Sequence, residues 1–240
     1  MTLKVKHWLY AIFCLLVVGT VLTHRVHTLR AQKARIARQA KIKRSRHQAA
    51  KRRAVVAQRN ANMRTPINWR KSSETIPYPD LKQAKNLWVK VCLKKNRTYV
   101  YDGKHIIYTM YCTGGIYQRD DKTGKMKSLT PTGTYHIQNE RGDHFYNAQL
   151  NEGANYYVSW LDHGKYLFHS VPTVGNGKYN KTEAAKLGKT QGSHGCVRLS
   201  VPDARWFFRN VPVGTKIVVT NWDAGECTWD PGWRYSQSGG

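Results

Sequence analysis

Leu87-Trp-Val-Lys-Val-Cys-Leu93 is the stretch whose reading decides the fold. Apolar residues fall at alternate positions, so Leu87, Val89, Val91 and Leu93 share one face of an extended chain, as a half-buried strand requires. Lys94-Lys-Asn-Arg97 reads as a turn and Thr98–Tyr101 as a second strand. Asp102-Gly103 suits the positive-φ positions of a tight hairpin, and Ile106–Thr113 makes a third strand. Further out, strands are expected at Gly133–Asn139, Tyr156–Trp160, Tyr166–His169 and Thr215–Thr220. Two short helices interrupt them. Lys181–Leu187 stops at Gly188 as a C-cap, and another starts at Ser200, with Pro202 in its first turn and Asp203 placed for a capping box. Short strands with turns between them predict a mainly β domain, a sandwich or barrel with short helices. No internal repeat is seen.

Charge divides the chain into two bodies. Of 240 residues, 40 are Lys or Arg and 14 are Asp or Glu, a formal net charge of +26. Residues 1–71 hold 18 of the basic residues and no acid, so the remainder carries 22 basic against 14 acidic, a net of +8. Within 1–24, Trp8–Thr23 is an uncharged, mostly apolar run of 16 residues behind Lys4 and Lys6. A straight spanning helix wants about 20, a gap that bilayer thinning and snorkelling absorb. No small-x-small cleavage site follows, so an uncleaved signal-anchor is expected ahead of a cleaved signal peptide or a buried helix. Phe13 before Cys14 does not suit lipid attachment.

Residues 25–64 lack Gly and Pro and are rich in Ala, Gln, Lys and Arg, a composition for a basic stalk, helical or disordered. Like charges at three- and four-residue spacing oppose a lone helix. Its partner would be a polyanion: lipid headgroups, anionic wall polymers along 25–71, or nucleic acid. By the positive-inside rule, Arg25, Arg30, Lys33, Arg35 and Arg38 favour a cytoplasmic stalk. The chemistry below argues for the opposite side and is given precedence. Residues 65–86, with three prolines, read as a linker, 87–221 as the main domain and 222–240 as a Trp- and Gly-rich tail.

Chemistry concentrates in Gln191-Gly-Ser-His-Gly-Cys-Val-Arg-Leu199. A thiolate is a strong nucleophile once a base or a helix N-terminus lowers its pKa. Gly195 permits a turn that aims successive amides at one developing oxyanion. His169 closes an expected strand in Phe168-His-Ser170, a rigid place for a base. An inert buried cysteine is the competing reading. Zinc wants three or four ligands, and only His194 stands near Cys196, so no metal is expected.

Taken in order, Thr130-Pro-Thr-Gly-Thr134, Phe168-His-Ser170 and Ser193-His-Gly-Cys-Val-Arg198 resemble the signature of the L,D-transpeptidase catalytic domain (the YkuD type), over about Leu87–Asn221. Two departures stand out: an insertion at Val174–Lys189 between the two halves of the signature, and Arg198 where Asn is common. The resemblance implies an L,D-transpeptidase β-sandwich and a peptidoglycan transpeptidase without cofactor. Cys196 would attack the third peptide carbonyl of a tetrapeptide stem and release D-Ala. A neighbouring stem amine would resolve the thioester into a 3→3 cross-link. His169 would be proton donor and acceptor, with Ser170 orienting it through its carbonyl. His194 and the amides of Gly195 and Cys196 would line the oxyanion site. Ser193 and Arg198 are further candidates, Arg198 for the donor carboxylate or as a brace. Tyr156 and Tyr157, within Asn139–Gly164, would form a lid. That chemistry needs no ATP, in keeping with the lack of a phosphate-cradling Gly-rich loop. It also implies a single-pass protein of the bacterial membrane with its catalytic domain facing the wall, and nucleic acid is then not the expected partner.

Two rival readings remain: an L,D-carboxypeptidase, in which water resolves the thioester, and a non-catalytic wall-binding protein. Cys92, Cys112 and Cys227 are either disulfide partners in an undetermined pairing or small buried hydrophobes. In 222–240, Trp222, Trp229 and Trp233 either fold back on the sheet or stack on sugars.

Overall fold

The structure is a computed structural model that describes residues 3–221, with side chains at all of these except 3–7, 9–12, 14 and 52. Two compact units divide the chain, Met1–Gln58 and Arg59–Gly240. Helix α1 runs Leu3–Asn62. Among the described residues no helix is long and apolar enough to cross a membrane. The expected anchor at 1–24 falls partly outside those residues, as do Cys227 and the tail at 222–240.

Among the described residues the second unit is built on eleven strands. They are β1 Leu87–Cys92, β2 Arg97–Asp102, β3 His105–Thr113, β4 Tyr117–Arg119, β5 Met126–Ser128, β6 Gly133–His136, β7 Arg141–Asn147, β8 Glu152–Leu161, β9 Tyr166–Ser170, β10 Val197–Leu199 and β11 Lys216–Thr220. Nine form one sheet in the order β6-β11-β1-β2-β3-β10-β9-β8-β7, while β4 and β5 pair separately. The two outermost strands, β6 and β7, are separated in sequence by only Ile137–Glu140. That stretch bonds to Thr215 at the foot of β11 through Ile137 N–H (2.9 Å) and to Ser159 of β8 through Gln138 N–H (2.8 Å). The sheet therefore curls until its two ends meet across four residues, which makes it a mainly β curled sheet.

The strand alternation at 87–93 sets the core as expected. Val89, Val91 and Leu93 face inward with Val100, Tyr108, Met110, Phe168, Val197 and Leu199. Trp88 and Cys92 face the other way, with Tyr99 and Tyr101. Cys112 is a free thiol in the inner cluster, whereas Cys92 is disulfide-bonded. A Cys92–Cys112 pairing is excluded because the two side chains lie on opposite faces of the sheet.

Helix α2 is Lys181–Ala184, shorter than expected, and α3 is Val201–Asn210. Ser200 caps α3 by accepting the Asp203 N–H at 3.2 Å. The reciprocal half of the capping box is replaced, because the buried Asp203 carboxylate accepts from Ser73 N–H and Oγ–H and from Tyr78 O–H. That contact belongs to a wider difference from the sequence reading. The 65–86 stretch, read as a linker, contributes buried Ser73 and Glu74 to the β unit. Ser73 Oγ accepts the Tyr111 N–H (2.7 Å) and Glu74 Oε1 the Thr109 N–H (2.8 Å).

Candidate functional site

Parallel pairing of β9 with β10 creates the site, in the register Val197↔Phe168, Arg198↔His169 and Leu199↔Ser170. Phe168, Val197 and Leu199 enter the core. Alternation turns His169 and Arg198 to the opposite face, and Cys196, one residue before β10, falls on their side. Cys196 is half-buried, with Sγ 3.7 Å from the Lys165 carbonyl.

His169 is 1% exposed, and its Nδ1 lies 2.6 Å from the Ser170 carbonyl. A carbonyl can only accept, so Nδ1 carries the proton and Nε2 is left as the basic nitrogen. The Phe145 ring stands edge-on at 5.5 Å and 82°. Burial, helped by the Arg198 charge and opposed by Ser170, pulls the His169 pKa down to about 3. Burial likewise pushes the Cys196 thiol up to about 11, against the Leu167 amide and the Arg198 charge, which favour the thiolate. At neutral pH these shifts leave a neutral thiol and a neutral imidazole on one face of the sheet.

The 192–196 loop is braced from three sides. Gly192 and Ser193 N–H both donate to the Gly114 carbonyl at 3.0 Å. Ser193 Oγ accepts the Gly195 N–H (3.1 Å) and donates to the Cys196 carbonyl (2.6 Å). Thr130 Oγ1 accepts the Gly115 N–H (2.7 Å) and donates to the Gly195 carbonyl (2.9 Å). Gly195 has φ +135°, and a Cβ there would come within 2.7 Å of Tyr166 Cε1 and 3.0 Å of the Leu129 carbonyl oxygen, so only glycine fits.

The other candidates separate. Gly195 is removed as an oxyanion donor because Ser193 Oγ already takes its N–H. His194 is exposed on the loop. Ser193 is a buried brace with its hydroxyl committed to the loop backbone. Ser170 contributes its carbonyl to His169, while its hydroxyl accepts the Asn155 N–H at 3.0 Å. Tyr157 packs edge-on to Phe145 at 5.7 Å and so shares the His169 neighbourhood. Tyr156 does not, because alternation along β8 puts it on the core face with Val158 and Trp160, against Phe208 at 6.1 Å. The expected lid is largely the β7–β8 hairpin at the sheet edge.

Arg198 serves as a brace. It is 1% exposed and its guanidinium is filled by Glu152 (2.6 and 2.8 Å), Glu183 (2.7 Å) and the Gly192 carbonyl (2.9 Å). No donor nitrogen is left pointing at a substrate carboxylate except the buried Nε. Glu152 on β8 and Glu183 on α2 were not signalled in the sequence. Nor was the role of Thr130, although its motif was. Among the described residues no group of three His, Cys, Asp or Glu side chains comes together to hold a metal.

Comparison with known proteins gives three kinds of match. The model of the L,D-transpeptidase catalytic domain (YkuD) matches residues 86–219. Bacillus subtilis (strain 168) YciB, named as an L,D-transpeptidase, is 45% identical over 157 residues, covering 65% of this chain and 76% of its own. An L,D-transpeptidase from Mycobacterium smegmatis is 18% identical with a TM-score of 0.42, over 56% of this chain and 58% of that one. One from Mycobacterium tuberculosis H37Rv is 20% identical with a TM-score of 0.41, over 57% and 58%.

Proposed function

The chain belongs to the L,D-transpeptidase (YkuD) family, and from that premise we propose that Cys196 is the nucleophile of a peptidoglycan L,D-transpeptidase. His169 Nε2 takes the thiol proton as sulfur attacks the carbonyl between the third residue and D-Ala of a tetrapeptide stem. The oxyanion is met by the Cys196 amide and His194. The C–N bond then breaks, His169 returns the proton to the leaving D-Ala amine, and a thioester remains. The amine of a third residue on a neighbouring stem attacks the thioester, His169 accepts its proton, and the thiol is regenerated with a 3→3 cross-link.

The single observation that carries this reading is the β9–β10 register, which sets a base of fixed tautomer on the same face as a half-buried thiol at the start of the next strand. The pKa directions fit transfer of the thiol proton to His169 in the same step as attack, because burial disfavours both a free thiolate and an imidazolium. The domain works outside the cytoplasm, tethered through the uncharged run Trp8–Thr23, with the basic residues of 25–71 against anionic wall polymers.

The test is product analysis by mass spectrometry after incubating the full chain with a disaccharide-tetrapeptide. A dimer joined 3→3, with D-Ala released, is expected. Tripeptide as sole product would replace the transpeptidase with a carboxypeptidase.

A further inference from the structure

A recess of about 430 Å³ is lined by Trp69, Arg70, Lys178, Tyr179, Lys181 and Val201. The Trp69 and Tyr179 rings meet at 5.1 Å and 54°, and the Arg70 guanidinium lies 4.0 Å over the Trp69 ring. Both rings are half-buried, and all three cations are exposed. No carboxylate lines the recess, and among the described residues none of the three cations has an ion-pair partner. Three like charges around one hollow repel one another, and an anionic ligand removes that repulsion. The rings add apolar faces of the kind on which a sugar ring or a planar group rests.

Its position ties the recess to the catalytic face. Tyr179 O accepts from Asn155 Nδ2 (2.7 Å), Asn155 N–H donates to Ser170 Oγ (3.0 Å), and the Ser170 carbonyl meets His169 Nδ1 (2.6 Å). Three consecutive hydrogen bonds therefore join the recess to the proposed base. Tyr179, Lys178 and Lys181 all come from the insertion at Val174–Lys189, whose α2 is also held to the nucleophile strand by the Glu183–Arg198 pair.

We propose that this recess is a subsite for the saccharide-bearing part of the substrate. The sugar of a disaccharide-peptide sits against Trp69 and Tyr179, and carboxylates of its stem meet Arg70, Lys178 and Lys181. The proposal deepens the peptidoglycan reading above and rests on it. It assigns to the insertion the task of holding glycan-attached stems in preference to free peptide.

Calorimetry on the full-length Cys196→Ala protein tests it, because turnover cannot then consume the ligand. The disaccharide-tetrapeptide is expected to bind about tenfold more tightly than the free tetrapeptide, the size of gain that one aromatic contact supplies. Trp69→Ala should erase that preference, with Trp69→Phe keeping most of it, whereas Lys178→Ala with Lys181→Ala should weaken both ligands by a similar factor, because both carry the stem carboxylates. The lysine pair is exposed, so its substitution reads binding even if Trp69→Ala fails to fold. Equal affinity for the two ligands, or affinities that the lysine substitutions leave unchanged, overturns the proposal. So does equally tight binding of poly(glycerol phosphate) that the same substitutions abolish, which would make the recess a phosphate-polymer site. Acylation of the wild type by the same stem is followed in parallel. Recess-dependent binding without an adduct counts against the chemistry proposed for Cys196, and an adduct without recess-dependent binding counts against the subsite alone.

Discussion

Arg198 and Asp203 stand close in sequence and are both almost wholly buried, yet Glu183, paired with Arg198, and Asp203 itself have pKa values shifted in opposite directions. Beside Arg198, burial pushes Glu183 up, but hydrogen bonds and charge from Lys186 and Arg198 outweigh it and hold the acid below its usual range. Asp203 has only hydroxyl and amide donors, from Ser73, Tyr78 and Ser200, and burial wins, so its pKa is raised. Glu74 nearby follows Asp203, raised by burial against Thr109 and Arg59. A guanidinium lowers the pKa of a half-buried acid against its desolvation, while donors without charge leave that of the buried Asp203 raised. The first cluster ties β10 to Glu152, Glu183 and the Gly192 carbonyl as a charged brace, and the second clasps the Ser73–Tyr78 stretch to α3 as a hydrogen-bonded one.

The largest expected difference between the two is in stability. Arg198→Met leaves Glu152 and Glu183 facing each other without their cation and should cost about 3–5 kcal/mol, roughly 10 °C in melting temperature. Asp203→Asn keeps its shape and part of its hydrogen bonding, and should cost about 1–3 kcal/mol. Thermal unfolding of the two variants checks the ranking, and a milder effect at Arg198 would break the contrast.

Next in size is a backbone effect. Gly195→Ala puts a Cβ against Tyr166 and the Leu129 carbonyl at a φ that side chains avoid, at about 1–3 kcal/mol. Because the displaced atoms adjoin Cys196, turnover should fall further than stability does, which parallel unfolding and product assays would show.

A smaller effect separates the clusters by pH. An acid whose folded pKa is raised binds more protons folded than unfolded, so its contribution to stability is lost as pH rises through the folded value. Asp203→Asn should therefore lose less, relative to wild type, at pH 8 than at pH 5. His169 has the opposite sign: with a folded pKa of about 3 against an ordinary 6.5, it makes the protein less stable as pH falls below 6.5. Denaturant midpoints at the two pH values give the slope, and parallel curves for wild type and Asp203→Asn would contradict the assignment.

The smallest concerns the thiol. Alkylation of Cys196 should rise with pH toward about 11, and Arg198→Met should move that rise still higher, because the Arg198 charge favours the thiolate. A rise near 8.5, as for an ordinary thiol, would remove the desolvated-thiol description.

What could be read in the sequence follows the range of the forces involved. Alternation at Leu87–Leu93 and the Ser200 cap are local and appear where the residues point, and the hairpin signalled by Asp102-Gly103 forms one residue further on, with Gly103 at φ +54° and Lys104 as its loop and Asp102 paired to His105. The Ser193–Arg198 segment could be singled out because its residues are contiguous, so the family signature needs no knowledge of the fold. Strand β7 was not, since Arg-Gly-Asp-His-Phe-Tyr-Asn at 141–147 lies at the sheet edge, mostly exposed, and shows no alternation. Arg198 names no partner in its own neighbourhood, and Glu152 and Glu183 reach it only through the fold. The 65–86 stretch looks like a linker because its buried members are polar. Ser73 and Glu74 earn burial by bonding amides of β3, a pattern that hydropathy cannot distinguish from a solvated loop.

The central claim is that Cys196 becomes acylated with His169 as its base. Its most direct test is the intact mass of the full chain after brief mixing with a disaccharide-tetrapeptide, with Cys196→Ala and His169→Gln alongside. An adduct equal to the stem minus D-Ala is expected on the wild type, none on Cys196→Ala, and a much slower one on His169→Gln. The same adduct on Cys196→Ala, or an undiminished rate in His169→Gln, would contradict the account.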